Sequence, residues 1–470
     1  MKPIQRFELP YRRALFVCAA FLTSSMTGYA QQATATPDDG SKPDDTVKLS
    51  VFNVTSTQDT GYSAADATPF KTKQQMVDIP QAITVVTRDM IQDISGYDSS
   101  DVLPFAGVIP KYGAGETFQL RGLISGATYP LLDGQIDQSV FSDNVFIDSI
   151  NVIRGPAALL YPNSSLGGVI NKLTRRPQPR ASNALEFSVT DFGLYRGTFD
   201  STGPVGKLGD GQLDYRLIGA FQRGDSFFNN VKDDRTVIHP ELQWNSKNTT
   251  VYVALDYEKF VRPSNPTGLL QPNGVIFTGL GLNNSLLLPK NVGETHILKG
   301  VRGSVVQRLG ENWETVVGVN ADDYHRTGSI VLPLNANWDT RTVGFYNRLN
   351  DIALNHASFS IDTNGTYDLF GMKSQTTFGM NITIQRSETK LYANTNFGGP
   401  GQTYNYRSID NPNVATLPVE AFKDYVVPAN PGSLIRSEFS NFYIQQSIDV
   451  LPDRLTLIGG IAKYKDATTN

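Results

Sequence analysis

The sequence predicts a mainly β protein in which a small α/β unit precedes a long series of antiparallel strands. Three observations carry that reading. Tyr and Phe are frequent, 20 and 25 among 470 residues, alongside 41 Gly, while only 18% of residues are charged; such a composition suits strands and turns. From Ala184 onward apolar and polar residues alternate with a period of two. The longest uninterrupted apolar run, Ala14 to Leu22, is about half of the roughly 20 residues a membrane-spanning helix needs.

That run belongs to a secretory signal. Lys2, Arg6, Arg12 and Arg13 form a basic leader, and Gly28-Tyr29-Ala30 ends it with small residues where a signal peptidase reads, so residues 1–30 are expected to be removed. The only cysteine, Cys18, leaves with them. A chain without thiols holds no disulfide, iron-sulfur cluster or thiolate zinc site. Removing four cations and Glu8 takes the net charge from -4 to about -7, and an acidic chain without a basic tract excludes a nucleic-acid partner. Residues 31–45, QQATATPDDGSKPDD, lack large apolar side chains and read as a flexible tether.

Residues 46–180 form the α/β unit. Ala82 to Thr87 is strand-like, and Asp89 begins a helical stretch. Leu131-Leu132-Asp133-Gly134 reads as a strand and turn. Between Ile150 and Pro177, Ile150 and Val152 mark one strand and Val169-Ile170 another. Pro156 suits the first turn of a short helix through Ala157 to Tyr161, and Gly167-Gly168 supply a turn that larger residues resist.

Residues 181–470 carry the alternation. Leu213, Tyr215, Leu217 and Phe221 share one face, with Gln212, Asp214, Arg216 and Gln222 on the other. Phe378, Met380, Ile382 and Ile384 likewise oppose Gln375, Thr377, Asn381 and Thr383. Ser201-Thr202-Gly203-Pro204 reads as a tight turn, whereas Arg262 to Glu294 and Thr389 to Ser437 are long connections. The period fits a soluble sandwich as well as a membrane barrel. A secretion signal, the lack of a spanning helix, and aromatics such as Tyr257, Tyr324 and Tyr464 near strand ends favour the barrel, with short turns on one side and long loops outside.

The segment Ile150 to Pro177 closely resembles the signature of the plug domain of TonB-dependent outer-membrane receptors. Arg154-Gly155-Pro156, Leu160-Tyr161, Gly167-Gly168, Asn171 and Thr174-Arg175-Arg176-Pro177 fall where that family places them; Asn151, Pro162 and Leu166 depart from it. VDIPQAITVVTRDM, Val77 to Met90, resembles the siderophore-receptor branch. Val102 to Val108, Phe118 to Gly122 and Leu131 to Gly134 follow in family order. The resemblance implies a plug inside an antiparallel transmembrane barrel of about 22 strands. With roughly a dozen strand candidates of about 10 residues and an end, KYKDATTN, lacking a terminal aromatic, the chain is expected to be the first part of a longer receptor.

What the resemblance implies about function is active import of ferric siderophores across the outer membrane of a Gram-negative-type bacterium. The driving partner would be TonB with its inner-membrane energising complex, and the receptor a monomer in lipid. Cobalamin, haem or oligosaccharides are alternative cargoes; a passive porin or adhesin is the alternative class. At Thr46, Val47, Lys48, Leu49, Ser50 and Val51 the family carries its TonB box, which pairs as an added strand; the other reading makes Val47 to Val54 the first plug strand. Arg121 and Arg154 match arginines that latch the plug to acidic residues on the barrel wall, the other reading being solvated arginines in a wet lumen. Lys111, Tyr112, Tyr129 and Gln135 near the plug apex, with Tyr392, Phe397, Tyr404 and Tyr406 in a long loop, are candidate ligand contacts or aromatics that stiffen loops.

No catalytic residue, cofactor or metal site is expected. His239, His296, His325 and His356 stand apart with no HExxH pattern, and neither a phosphate-binding glycine loop nor a GxSxG elbow occurs.

Overall fold

The computed structural model describes residues 61–64, 66–67, 74–75, 82–110, 118–121, 123–124, 130–137, 142–155, 161, 167–262, 269, 271–273, 277–281, 283, 293–393, 405–411, 433–451 and 454–469. The signal, the tether, Thr46 to Val51 and most of the expected helix Ala157 to Tyr161 lie outside those residues.

The small domain contains a two-stranded ribbon, β1 (Asp66–Ala67) with β2 (Gln74–Gln75), followed by β3 (Ile83–Val86), α1 (Arg88–Asp93) and α2 (Ser99–Val102). Next come β4 (Ile109–Pro110), β5 (Phe118–Leu120), β6 (Leu123–Ile124), β7 (Leu131–Leu132), β8 (Gln135–Ile136), β9 (Ile147–Ile153) and β10 (Val169–Thr174). Its main sheet runs β3-β9-β10-β7-β8, with only β10 and β7 parallel. Thr87 caps α1, its Oγ1 accepting from the Met90 amide at 3.3 Å, which fixes where strand gives way to helix. Asp133 and Gly134 both have positive φ, 51° and 80°, the two-residue hairpin geometry that an Asp-Gly pair favours. At Gly168 a Cβ would lie 2.3 Å from the Ile153 carbonyl oxygen, so β10 can begin beside the end of β9 only with glycine there. Every residue of β10 is buried.

The large sheet is assembled strand after strand. Its members are β11 (Ser182–Val189), β12 (Tyr195–Leu208), β13 (Gly211–Arg223), β14 (Asp234–Asn245), β15 (Thr249–Arg262) and β16 (Gly293–Leu309). They continue with β17 (Trp313–Asn337), β18 (Thr342–Leu369), β19 (Met372–Ala393), β20 (Asn405–Ser408), β21 (Ser433–Leu451) and β22 (Leu455–Thr469). Each pairs antiparallel with the next, except that β20 pairs the start of β18 and β19 passes directly to β21. Among the described residues β11 and β22 have one partner each. Turns such as 209–210, 310–312 and 370–371 fall at one end, and the long connections 263–292 and 394–432 at the other.

Ser201 to Pro204 is not a turn. These residues lie within β12, paired with Leu217 to Asp214 of β13, and the chain reverses at 209–210. The proline is tolerated because β11 ends opposite Thr202: beyond that point β12 has a free edge, where a missing N–H is harmless.

The alternation in the large sheet is inside-out relative to a water-soluble protein. In β13, Asp214, Arg216 and Gln222 are buried while Phe221 is 50% exposed. Leu185, Val253, Leu255, Val319, Phe378 and Ile444 are also exposed on the outward face. Ile218, Ala220, Val237 and Phe260 are apolar residues of the inner face that join the core cluster of the small domain. Tyr443 of β21 packs on Leu131, Ile153 and Tyr161 from another side, so the sheet wraps round the domain. Of the aromatics expected in an outer girdle, Tyr257 lies on the outward face; Tyr324 is buried inside against His296 at 2.6 Å, and Tyr464 shares the inner face with Asn441.

Candidate functional site

Where the two parts meet, aspartates on the small domain face arginines on the wall. Asp143, the cap of a short 3-10 turn, accepts two bonds from Arg196, Nη1 to Oδ2 at 2.9 Å and Nη2 to Oδ1 at 2.8 Å. Asp98, at the start of α2, accepts from both Nη atoms of Arg235 at 3.1 Å and from Arg262 at 2.9 Å. Asp233, in the connection before β14, holds Arg235 from the other side. Asp133, in the β7–β8 turn, accepts from Arg302 at 2.6 Å and pairs with Arg176 at 3.1 Å. Arg302 in turn grips Asp256 on the neighbouring strand at 2.9 and 3.1 Å.

Forked guanidinium groups suit this geometry, since each can satisfy two carboxylates at fixed angles. Burial alone would raise the Asp143 carboxyl, but Arg196 and Arg235 overcome it and hold the group below the usual range. Burial opposes Arg176 and Arg302 in the same way at Asp133, which is also lowered. At Asp233 burial again raises, yet Arg235 and Arg262 bring the group down to about 2. All three are therefore charged at neutral pH.

The two arginines expected to latch the plug are not among these interface pairs. Arg154 donates Nη1 to Thr84 Oγ1 at 2.8 Å and Nη2 to the Ala106 carbonyl, both within the small domain. Burial, then the nearby Arg121 charge, push its guanidinium down. Arg154 thus clasps edge strand β3, and Arg121 is exposed with φ of 54°. At the described interface the plug contributes the aspartates and the wall the arginines. Their spacing was visible in the sequence as Arg196, Arg216, Arg235, Arg262 and Arg302, each on the polar face of its strand.

Of the candidate ligand contacts, Lys111, Tyr112, Tyr129, Phe397 and Tyr404 lie outside the described residues. Gln135 is buried at the interface, donating to Ser360 Oγ at 2.5 Å and accepting from Ser358 Oγ at 2.8 Å; it docks the domain instead of lining an open apex. Tyr392 sits on the outward face of β19, opposite Leu349. Tyr406 is exposed on β20. The structure brings none of these three together.

His239 lies between Glu241 and Asp256, each at 2.6 Å, and stacks on Phe146 of the small domain at 4.5 Å. His356 meets Asp322 at 2.8 Å, and His325 meets Asp351 on the outer face at 2.9 Å. Among the described residues no group of three or more His, Cys, Asp or Glu is placed to hold a metal ion.

Residues 75–169 match the family model described as the TonB-dependent receptor plug domain. Residues 75–169 are a plug domain of that type. Curated relatives include the metal-pseudopaline receptor of Pseudomonas aeruginosa, 27% identical over 39% of this chain and 27% of its own length. The ferrioxamine B receptor of Salmonella typhimurium is 28% identical over 36% of this chain and 26% of its own. The ferrichrome outer membrane transporter/phage receptor of Escherichia coli is 24% identical over 60% of this chain and 39% of its own. The chain therefore matches well under half the length of these relatives. Among solved structures, the ferripyoverdine receptor of the Pseudomonas aeruginosa outer membrane, bound to ferripyoverdine, superposes with a TM-score of 0.70 at 17% identity, covering 90% of this chain and 56% of that one. The ferric preacinetobactin receptor of Acinetobacter baumannii gives 0.67 at 16%, covering 86% and 63%. The likeness fixes the plug-plus-barrel fold.

Proposed function

We propose that this chain belongs to an outer-membrane transporter that imports a ferric siderophore, driven by TonB through the segment Thr46 to Val51. One observation carries the reading: a plug domain is ion-paired to the inner face of a sheet whose outer face is apolar. A passive pore needs no such removable stopper. The docking is strong in position and weak in net energy, because the attraction within a buried ion pair is largely offset by desolvation. A plug held this way stays in register at rest and yields to a pull. The names of the relatives, which bind ferrioxamine, ferrichrome and metal-pseudopaline, support a chelated metal as cargo.

Uptake of radiolabelled ferric chelates in cells with and without TonB tests the reading. Import of a hydroxamate or related chelate only when TonB is present is expected; equal uptake in both strains would overturn energy coupling, and exclusive uptake of cobalamin or haem would reassign the cargo. Val47→Pro, which removes a backbone donor from the proposed added strand, should abolish uptake with cargo binding at the cell surface unchanged.

A further inference from the structure

The wall that faces the plug is of two kinds. Over β12 to β16 its charges are met by the plug: Arg196 by Asp143, Arg235 and Arg262 by Asp98, and Arg302 by Asp133. Arg216 donates to the Arg176 carbonyl at 2.8 Å, and Glu258 accepts from the Asp143 amide at 3.1 Å. All six of these wall side chains are buried.

Over β17 to β21 the plug meets small, neutral groups instead. Gln135 is held by Ser358 and Ser360, and a Cβ at Gly318 would come within 2.9 Å of both the Gln135 side-chain nitrogen and Ser360 Oγ, so a missing side chain admits the β7–β8 hairpin. Asn320 donates to the Ile136 carbonyl at 3.4 Å. In register beside Ser360 stand Asn381 and then Asn441, and beside Ser358 stands Thr383, all buried on the same inner face. The carboxylates of this stretch are met within the wall itself: Asp322 by His356 at 2.8 Å, and Asp362 by the Tyr443 hydroxyl. Tyr443 adds an apolar contact with Leu131, Ile153 and Tyr161 of the plug.

These two kinds of contact part at unequal cost. Drawing an arginine away from its aspartate inside the interface strands two buried charges, whereas a hydroxyl or amide that loses a neutral partner is satisfied by entering water. We infer that the plug, when pulled, separates first from β17–β21 while its aspartates hold it to β12–β16, and that cargo crosses along the surface made by Ser358, Ser360, Asn381, Thr383 and Asn441. Hydroxyls and amides suit a bulky polar chelate, since they offer it hydrogen bonds and no fixed charge that would trap it. This assignment of the route rests on the transport reading.

The test is to fasten the plug to one wall or the other in the receptor in outer membranes, using paired cysteines bridged by a short bis-methanethiosulfonate reagent. Gln135→Cys/Ser360→Cys joins the β7–β8 hairpin to β18, and Val145→Cys/Ala220→Cys joins the 3-10 turn to β13 within their shared apolar cluster. Uptake of a radiolabelled ferric trihydroxamate should fall about tenfold or more when the first pair is bridged, recover on reduction, and stay within about twofold when the second is bridged. Uptake that survives the first bridge would overturn the route, and an equal loss with the second would overturn the side on which the plug is held. Single cysteines give a readout that does not depend on the pairs folding. Labelling of Thr383→Cys by a membrane-impermeant maleimide should rise in TonB-positive cells given the chelate, while labelling of Val237→Cys on the β14 inner face should not. Equal labelling of Thr383→Cys with and without TonB would also overturn the route. Wild type that shows no TonB-dependent uptake would instead refute the transport reading.

Discussion

Strands β9 and β13 follow the same alternation of side chains with opposite results. β9 is buried on both faces, so that Ile150 and Val152 on one and Asn151 and Ile153 on the other all lie inside. β13 buries Asp214, Arg216 and Gln222 and leaves Phe221 half exposed. One strand has protein on both sides, the other protein on one side and lipid on the other. The difference teaches that burial of apolar surface is a rule about the solvent, not about the residue. Polar side chains on the inner face are permitted because the plug brings partners to them.

The sharpest way to break the contrast is to put one charge in each region. Ile150→Arg in the plug centre strands a cation in a core with no carboxylate; a loss above about 4 kcal/mol is expected, read as collapse of hydrogen-exchange protection across β9 and β10 while the large sheet stays protected. Next, Asp143→Asn leaves Arg196 and Arg235 short of a counter-charge across the interface, and plug docking should weaken by about 3–5 kcal/mol. Since no cysteine follows Cys18, thiol labelling of a single cysteine introduced at the interface reports that loosening without background. Val319→Arg, on the outward face, should cost about 2–4 kcal/mol in a lipid vesicle, measured by urea unfolding of the inserted protein. A cost that stayed the same in detergent-free water would contradict the lipid assignment of that face.

Acid tests the same interface. The Asp133 and Asp143 carboxyls are lowered in the folded protein, so they contribute stability that is fully present above the unfolded value of about 4 and is lost as pH falls through the folded value. Labelling of the interface should stay flat from neutral pH down to about 5 and rise only below about 4. The smallest effect belongs to Pro204→Ala: with a free edge beside it, the change should stay below about 1 kcal/mol in the same urea unfolding.

Much of this was legible in the sequence, and for definable reasons. Strand faces such as Leu213, Tyr215 and Leu217 against Asp214 and Arg216 follow from period alone. Asp133-Gly134 announces a turn because its chemistry is local. Ser201 to Pro204 misled because Gly-Pro normally signals a turn; that β11 ends opposite Thr202 is a fact about another strand. The arginine–aspartate interface was hidden for a related reason. Arg154 lies in a motif that names an arginine, whereas Asp98 and Asp143 acquire their roles only when β12, β14 and β15 curve round to face them. Nothing local to Gln135 points to β18, and only the fold shows the β7–β8 turn pressed against it.

Strands β17 and β18 run 25 and 28 residues, far beyond the roughly 10 needed to cross a bilayer. Their paired hydrogen bonds continue past the apolar band to Asn337 and Thr342, where β20 adds a third strand and Val331, Val343, Phe345 and Ile409 close a small core with Leu269 and Val231. The hairpin is a stiff mast rooted in the same ladder that touches the plug at Ser358 and Ser360. An antibody or a fluorescent label at its tip would sit at the far end of a continuous lever whose base is in hydrogen-bond contact with the plug.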